Sequence, residues 1–173
     1  MENKNICFRK EINKMKTLIL YATKYGATEE IAQRIANDMG DASLYNLKEK
    51  NFPSLELFDC IILGSSLYAG STRKEFKAFI ADNLALLNQK KLGIFFSGMG
   101  ADSIDKIIND NPPLNSLEKI IAKDNLGGIY DPQKVNKMER FIYKLATKQS
   151  DYQNTIDDTK VESFAQKMMN RIE

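Results

Sequence analysis

The sequence predicts a doubly wound α/β domain on a parallel sheet, and three observations predict it. Apolar runs at 17–21, 60–63 and 92–96 show no polar alternation, as strands buried on both faces require. A loop of small residues and then a helix-period segment follow each run, the order that right-handed βαβ crossovers impose. The three loops, 22–28, 64–71 and 97–102, are rich in Gly, Ser, Thr or Ala, which let a backbone approach a flat ligand closely.

Each element has its own warrant. The first strand is 17–21, and the helix 28–39 follows with Ile31, Ala32, Ile35, Ala36 and Met39 on one face. Glu29 and Glu30 fall in its first turn, where the dipole favours acids, and Gly40 stops it. A short strand at 43–47 lies near an edge, and 60–63 is the third strand. Thr72, Arg73, Lys74 and Glu75 read as a capping box that opens a helix with Phe76, Phe79, Ile80, Leu84 and Leu87 inward. The fourth strand is 92–96. Ile104, Ile107 and Ile108 start a helix that Pro112 and Pro113 interrupt and that resumes over 114–122. The fifth strand is 126–130. Helices are predicted at 136–148 and 161–172, the last with Val161, Phe164, Ala165, Met168 and Ile172 in phase, and the polar stretch 149–159 is a loop.

Composition narrows the function. The 173 residues suffice for one domain with a real core, and no internal repeat or domain boundary is visible. Lys plus Arg is 25 and Asp plus Glu is 23. Setting aside the first 15 residues, with four basic and two acidic groups, leaves 21 of each sign. Nothing in that balance points to nucleic acid. The absence of histidine removes Ser-His-Asp and Cys-His catalysis and most transition-metal sites. Cys7 and Cys60 form neither a disulfide framework nor a CxxC motif, which fits a reducing cytosol. No apolar stretch approaches membrane-spanning length. Residues 1–14 are polar, lack a signal-peptide core and precede Met15, so they read as a weakly ordered upstream extension of the domain at 15–173.

Ligands on such sheets bind beyond the carboxyl ends of the strands, where the strand order reverses. The first loop, Thr23, Lys24, Tyr25, Gly26, Ala27 and Thr28, joins a strand to a helix N-terminus whose free N–H groups and dipole favour an anion. It lacks the P-loop lysine-serine ending, so it suits the terminal phosphate of a mononucleotide such as FMN rather than a triphosphate. Thr23 and Thr28 would donate hydroxyls, with amides from Lys24 to Thr28 completing the cradle; the alternative is that both only shape the turn and cap the helix. Lys24 either touches phosphate or is solvated, and Glu29 and Glu30 must point away from a dianion. The second loop supplies Ser65, Ser66, Leu67, Tyr68, Ala69 and Gly70, with Tyr68 placed to lie against a flat ring or to stand as an ordinary loop tyrosine. The third supplies Ser97, Gly98, Met99, Gly100 and Asp102. Its partial GxGxxG pattern lacks the last glycine and follows the wrong strand for a dinucleotide, so its glycines would let main-chain amides face the ligand.

The pattern resembles the flavodoxin family, whose phosphate loop runs Ser/Thr-x-Thr-Gly-x-Thr. Thr23, Gly26 and Thr28 match, and Tyr25 stands where a threonine is usual. The resemblance covers the chain from about Met15 onward and implies a three-layer sandwich with strand order 2-1-3-4-5 and FMN as cofactor. Within the family the chain is most similar to the menaquinone-dependent protoporphyrinogen IX dehydrogenases. Lys24 in the first loop, the run from Ile62 through Gly70, and the segment Met138-Glu139-Arg140-Phe141-Ile142-Tyr143-Lys144-Leu145 after Gly127-Gly128-Ile129-Tyr130 carry that similarity. It implies an FMN-dependent oxidoreductase of haem biosynthesis with a porphyrinogen as small-molecule substrate and a quinone as acceptor. With no aromatic residue in the third loop, a flavin stacked only by Tyr68 would keep one face open to substrate. The rival within the family is a small electron carrier between protein partners, which needs an acidic docking face. A phospho-receiver is disfavoured because the first and third strands end without its aspartates.

Met138, Phe141, Ile142 and Leu145 form a helical stripe among Lys134, Lys137, Arg140, Lys144 and Lys148. Such a helix either packs its stripe on its own sheet, the reading favoured here, or rests through 136–148 on the anionic inner face of the cell membrane, where a lipid-soluble quinone resides.

Overall fold

The computed structural model describes residues 15–100 and 103–170. Five parallel strands, β1 (Thr17–Ala22), β2 (Ala42–Asn46), β3 (Cys60–Ser66), β4 (Lys91–Ser97) and β5 (Ile120–Asn125), form one sheet in the order β2-β1-β3-β4-β5. The apolar runs alternate after all, because both faces are cores. Leu18, Leu20, Ile61, Leu63, Ile94 and Phe96 face a cluster with Phe76, Phe79 and Ile80 of α2 (Lys74–Leu87) and Ile107 and Ile108 of α3 (Ile104–Asp110). Ile19, Tyr21, Cys60, Ile62 and Phe95 face the opposite cluster with Ile31 and Ile35 of α1 (Ala27–Met39) and Phe164 and Met168 of the last helix (Asp158–Met169). The result is a three-layer sandwich.

One close approach sets the middle of the sheet. A Cβ on Gly64 would lie 2.1 Å from the Phe95 ring, so only glycine lets that ring sit flat on β3. Burial in the same layer pushes the Cys60 thiol up to about 11, which leaves it inert at neutral pH. The register pairs Ala22 with Ser65, Ser66 with Ser97 and Phe96 with Asn125. The carboxyl ends of β1, β3 and β4 therefore finish level, and their three loops share one rim.

Three expectations need correction. The segment 114–122 is not a helix: Leu114–Ser116 is a single 3-10 turn and β5 begins at Ile120. The register jumps from Leu92–Ile120 to Gly93–Ala122, so Ile121 is an extra, bulged residue, and Ile121 and Ala122 reach the same cluster. That bulge erases the period-2 signal of a strand. The expected strand 126–130 survives only as β6 (Ile129–Tyr130), paired antiparallel with β7 (Gln153–Asn154) from the stretch read as a loop. The capping box at Thr72 does not form. Arg73 is the N-cap, with no side-chain bond, because the Thr72 N–H donates instead to Asn111 Oδ1 at 2.9 Å.

Residues 127–156 form an excursion closed at its base. The Thr155 N–H donates to the Gly128 carbonyl at 2.8 Å and the Gly128 N–H to Thr155 Oγ1 at 3.1 Å. Gly127 has φ +89°, and a Cβ there would lie 1.9 Å from the Thr155 carbonyl oxygen, so glycine is required. Between the two short strands runs α4 (Lys137–Thr147), capped by Asn136, whose Oδ1 accepts the Glu139 N–H at 2.9 Å. The last helix, Asp158–Met169, is α5. The apolar stripe of α4 does not pack on the sheet: Met138 is 70% exposed, Phe141 63% and Leu145 68%. Among the described residues, no helix is long and apolar enough to cross a membrane.

Candidate functional site

The rim is built from local rules. In the first loop Thr23 Oγ1 accepts the Gly26 N–H at 3.0 Å, a turn that uses this hydroxyl as an acceptor. Gly26, at φ 95°, is the N-cap of α1 and offers no side chain to cap it. The first helical bond runs from the Glu30 N–H to the Gly26 carbonyl, so the amides of Ala27, Thr28 and Glu29 precede the helical ladder at the positive end of the dipole. Both first-turn acids are engaged elsewhere. Glu30 pairs with Arg34, which also reaches Asp158 of α5. Glu29 meets the Tyr21 hydroxyl, and burial together with that carboxylate pushes the Tyr21 phenol well above its usual range.

Thr28 is fully buried, and its Oγ1 shares a hydrogen bond of 2.8 Å with Ser97 Oγ. That bond ties the first loop to the end of β4. Ser65 is also buried: its Oγ accepts the Arg73 N–H at 3.0 Å and fixes the start of α2. Thr28, Ser65 and Ser97 therefore act from inside the wall of the rim, and Ser66 closes β3.

In the second loop Tyr68 and Ser71 exchange backbone bonds of 2.9 and 3.0 Å around Ala69 (φ 48°) and Gly70 (φ 75°). Two positive φ angles make this a tight turn of the type I′ class, and Ala69 holds a conformation that costs a non-glycine residue about 1 kcal/mol. Asn111, a residue that sequence reasoning missed, holds the turn from below. It is buried, and its amide group donates to the Gly70 and Ile107 carbonyls at 2.8 Å each while accepting from Thr72. Tyr68 stands 52% exposed.

The Gly98 N–H in the third loop donates to the Gly127 carbonyl at 2.9 Å, so it anchors the excursion instead of facing the rim. Gly100 has open space around its missing side chain, and Met99 is 37% exposed. Leu67, Ala69, Gly70, Gly98, Met99, Gly100 and Ile107 line a cleft of about 210 Å³ between the second and third loops. Asp102 lies outside the described residues.

Two residues of α4 join this rim, and neither was expected there. The Glu139 carboxylate receives hydrogen bonds from Lys24 Nζ and the Tyr25 hydroxyl of the first loop. Lys24 Nζ also lies 4.9 Å from the centre of the Tyr25 ring. Partial burial pushes the Glu139 carboxyl up, but the donors from Lys24 and Tyr25 outweigh it and hold it below the usual range. The same contact raises Lys24. One turn on, Tyr143 stacks on Tyr130 with centroids 3.6 Å apart, and its hydroxyl donates to Met99 Sδ at 3.4 Å. The signal was present but faint: Glu139 is the lone acid in a strongly basic helix.

The flavodoxin domain family matches residues 18–157, most of the sandwich and the whole excursion. The chain belongs to the flavodoxin family. It is 25% identical over 149 residues to a protoporphyrinogen IX dehydrogenase [quinone] of Escherichia coli K12, covering 79% of this chain and 81% of that one. The fold superposes on oxidised flavodoxin 1 of Bacillus cereus with a TM-score of 0.59 at 17% identity, covering 91% of this chain and 99% of that one. A flavoprotein of Lactobacillus acidophilus in complex with FMN superposes with a TM-score of 0.50 at 16% identity, covering 64% of this chain and 93% of that one.

The rim suits the flavin mononucleotide of this flavodoxin fold on three counts. Three first-turn amides lie free of the helical ladder, the Glu30 carboxylate is paired with Arg34, and exposed Tyr68 and Met99 belong to the two loops that flank the cleft.

Proposed function

We propose that this chain is an FMN-dependent oxidoreductase that oxidises a porphyrinogen and passes the electrons to a quinone. The amides of Ala27, Thr28 and Glu29 hold the phosphate, with the Thr23–Gly26 turn shaping the loop and the Thr28–Ser97 bond keeping it in place. Arg34 offsets the charge of Glu30 in the first turn. Tyr68 would lie against one face of the ring system, and the glycine-bearing third loop, which has no aromatic residue, would border the other. When bound, FMN supplies the two-electron redox chemistry that no side chain of this histidine-free rim offers. Each turnover removes two electrons and two protons from the porphyrinogen and delivers them to the quinone as quinol.

The exposed apolar face of α4 beside the rim carries the choice of an oxidoreductase over a soluble carrier. Met138, Phe141, Ile142 and Leu145 stand open to solvent, with Lys137, Arg140, Lys144 and Lys148 on the same helix and its cap. The one acid, Glu139, is turned to the first loop. A basic amphipathic face of this kind seats on anionic lipid and would bring the rim to a lipid-soluble acceptor. A carrier docking on protein partners would instead present acids beside its flavin.

The test is anaerobic mixing of the FMN-loaded protein with protoporphyrinogen IX, followed by a menaquinone. Bleaching of the flavin by the first and recovery of its colour with the second is the expected result. A flavin that responds only to a ferredoxin-type reductase would make the protein a carrier.

A further inference from the structure

The position of Glu139 carries a consequence for the phosphate loop. Among the described side chains of α4, Glu139 and Tyr143 are the most sheltered, and both reach rim loops. Among the described residues, the polar side-chain contacts that tie the helix to the rim loops come from these two, one of them ionic, and an element so lightly buried detaches at low cost. The ionic contact falls on Lys24 and Tyr25, directly before the amides at the start of α1. Within reach of Lys24, a phosphate dianion and the Glu139 carboxylate carry three negative charges against one ammonium. They compete for it.

We infer that Glu139 is a latch: its hold on Lys24 and Tyr25 docks α4 on the phosphate loop, and a phosphate bound there loosens it. This rests on the FMN reading above. The competition is reciprocal, because a ligand that weakens the latch must bind more tightly once the latch is removed. The flavin-loaded protein then presents α4, with its apolar face, more freely than the flavin-free protein.

The full-length protein, stripped of flavin, is titrated with FMN and with riboflavin, which lacks the phosphate. Glu139→Gln should tighten FMN by about two- to fivefold, the scale of a partly exposed ion pair, and leave riboflavin unchanged. Amide hydrogen exchange supplies the second readout. Exchange over 137–147 should quicken in the wild type when FMN is added, and in Glu139→Gln it should be fast from the start. Lys24→Met, which removes the other partner, should show the same fast exchange without flavin. Equal shifts for FMN and riboflavin, an unchanged FMN affinity in Glu139→Gln, or slower α4 exchange with FMN would overturn the latch while the FMN reading stands. Wild-type protein that binds neither flavin would overturn both.

Discussion

The centre of the sheet and the excursion at 127–156 use the same residue types to opposite ends. In the centre, Ile62, Phe95 and Phe164 are shut away from water, with Phe95 edge-on to Phe164 at 6.2 Å and lying over Gly64. In α4, Met138, Phe141 and Leu145 repeat at the same helical spacing as the buried stripes of α1 and α5 yet face solvent. Periodicity reports that a helix has an apolar face, not what covers it. The core is held by burial and tight fit; the excursion is held at its glycine base, by its short strand pair and by polar side chains of α4 that reach the rim. Stability belongs to the first region, and the proposed function assigns the approach of partners to the second.

Substitutions can break this contrast, and the largest effect belongs to the core. Phe95→Ala should lower the unfolding free energy by about 3–5 kcal/mol in urea denaturation, the cost of an emptied aromatic site. A loss under 1 kcal/mol would mean that the layer over Gly64 is loosely packed.

Thr28→Val sharpens the boundary between core and rim. It leaves the Ser97 hydroxyl buried without its partner and should cost about 1–3 kcal/mol. It should also weaken FMN binding, because the loop loses its tie to β4. Unchanged stability would show that this bond adds nothing to the wall of the site.

The smallest expected effect on stability falls on the excursion. Phe141→Ser combined with Leu145→Ser should change unfolding by no more than about 0.5 kcal/mol, since both side chains are exposed. The same pair should abolish co-sedimentation with vesicles rich in phosphatidylglycerol. A large stability loss would return the stripe to the protein's own interior, and undiminished sedimentation would remove α4 as the lipid-facing element.

The sequence carried the sheet because β1, β3 and β4 are buried on both faces, and nothing else in a chain of this length needs such runs. It lost β5 because one bulged residue, Ile121, broke the alternation, and the apolar spacing of Leu114, Leu117 and Ile121 imitates a helix turn. At the site, the three loops were legible from their small residues and their place after strands. The roles inside them were not. Thr28 and Ser97 bond to each other across 69 positions, and Asn111 holds Gly70 from 41 positions away. Glu139 reaches Lys24 across 115 positions. Contacts at such separations leave no local pattern and follow only once the register of the sheet is known.

The deciding measurement is a crystal structure of the protein grown with FMN. Density is expected along the rim between the loops at 22–28, 64–71 and 97–100, with the phosphate on the amides of Ala27, Thr28 and Glu29. Flavin density away from that rim, such as in the lysine-lined recess between β5 and α5, would contradict it.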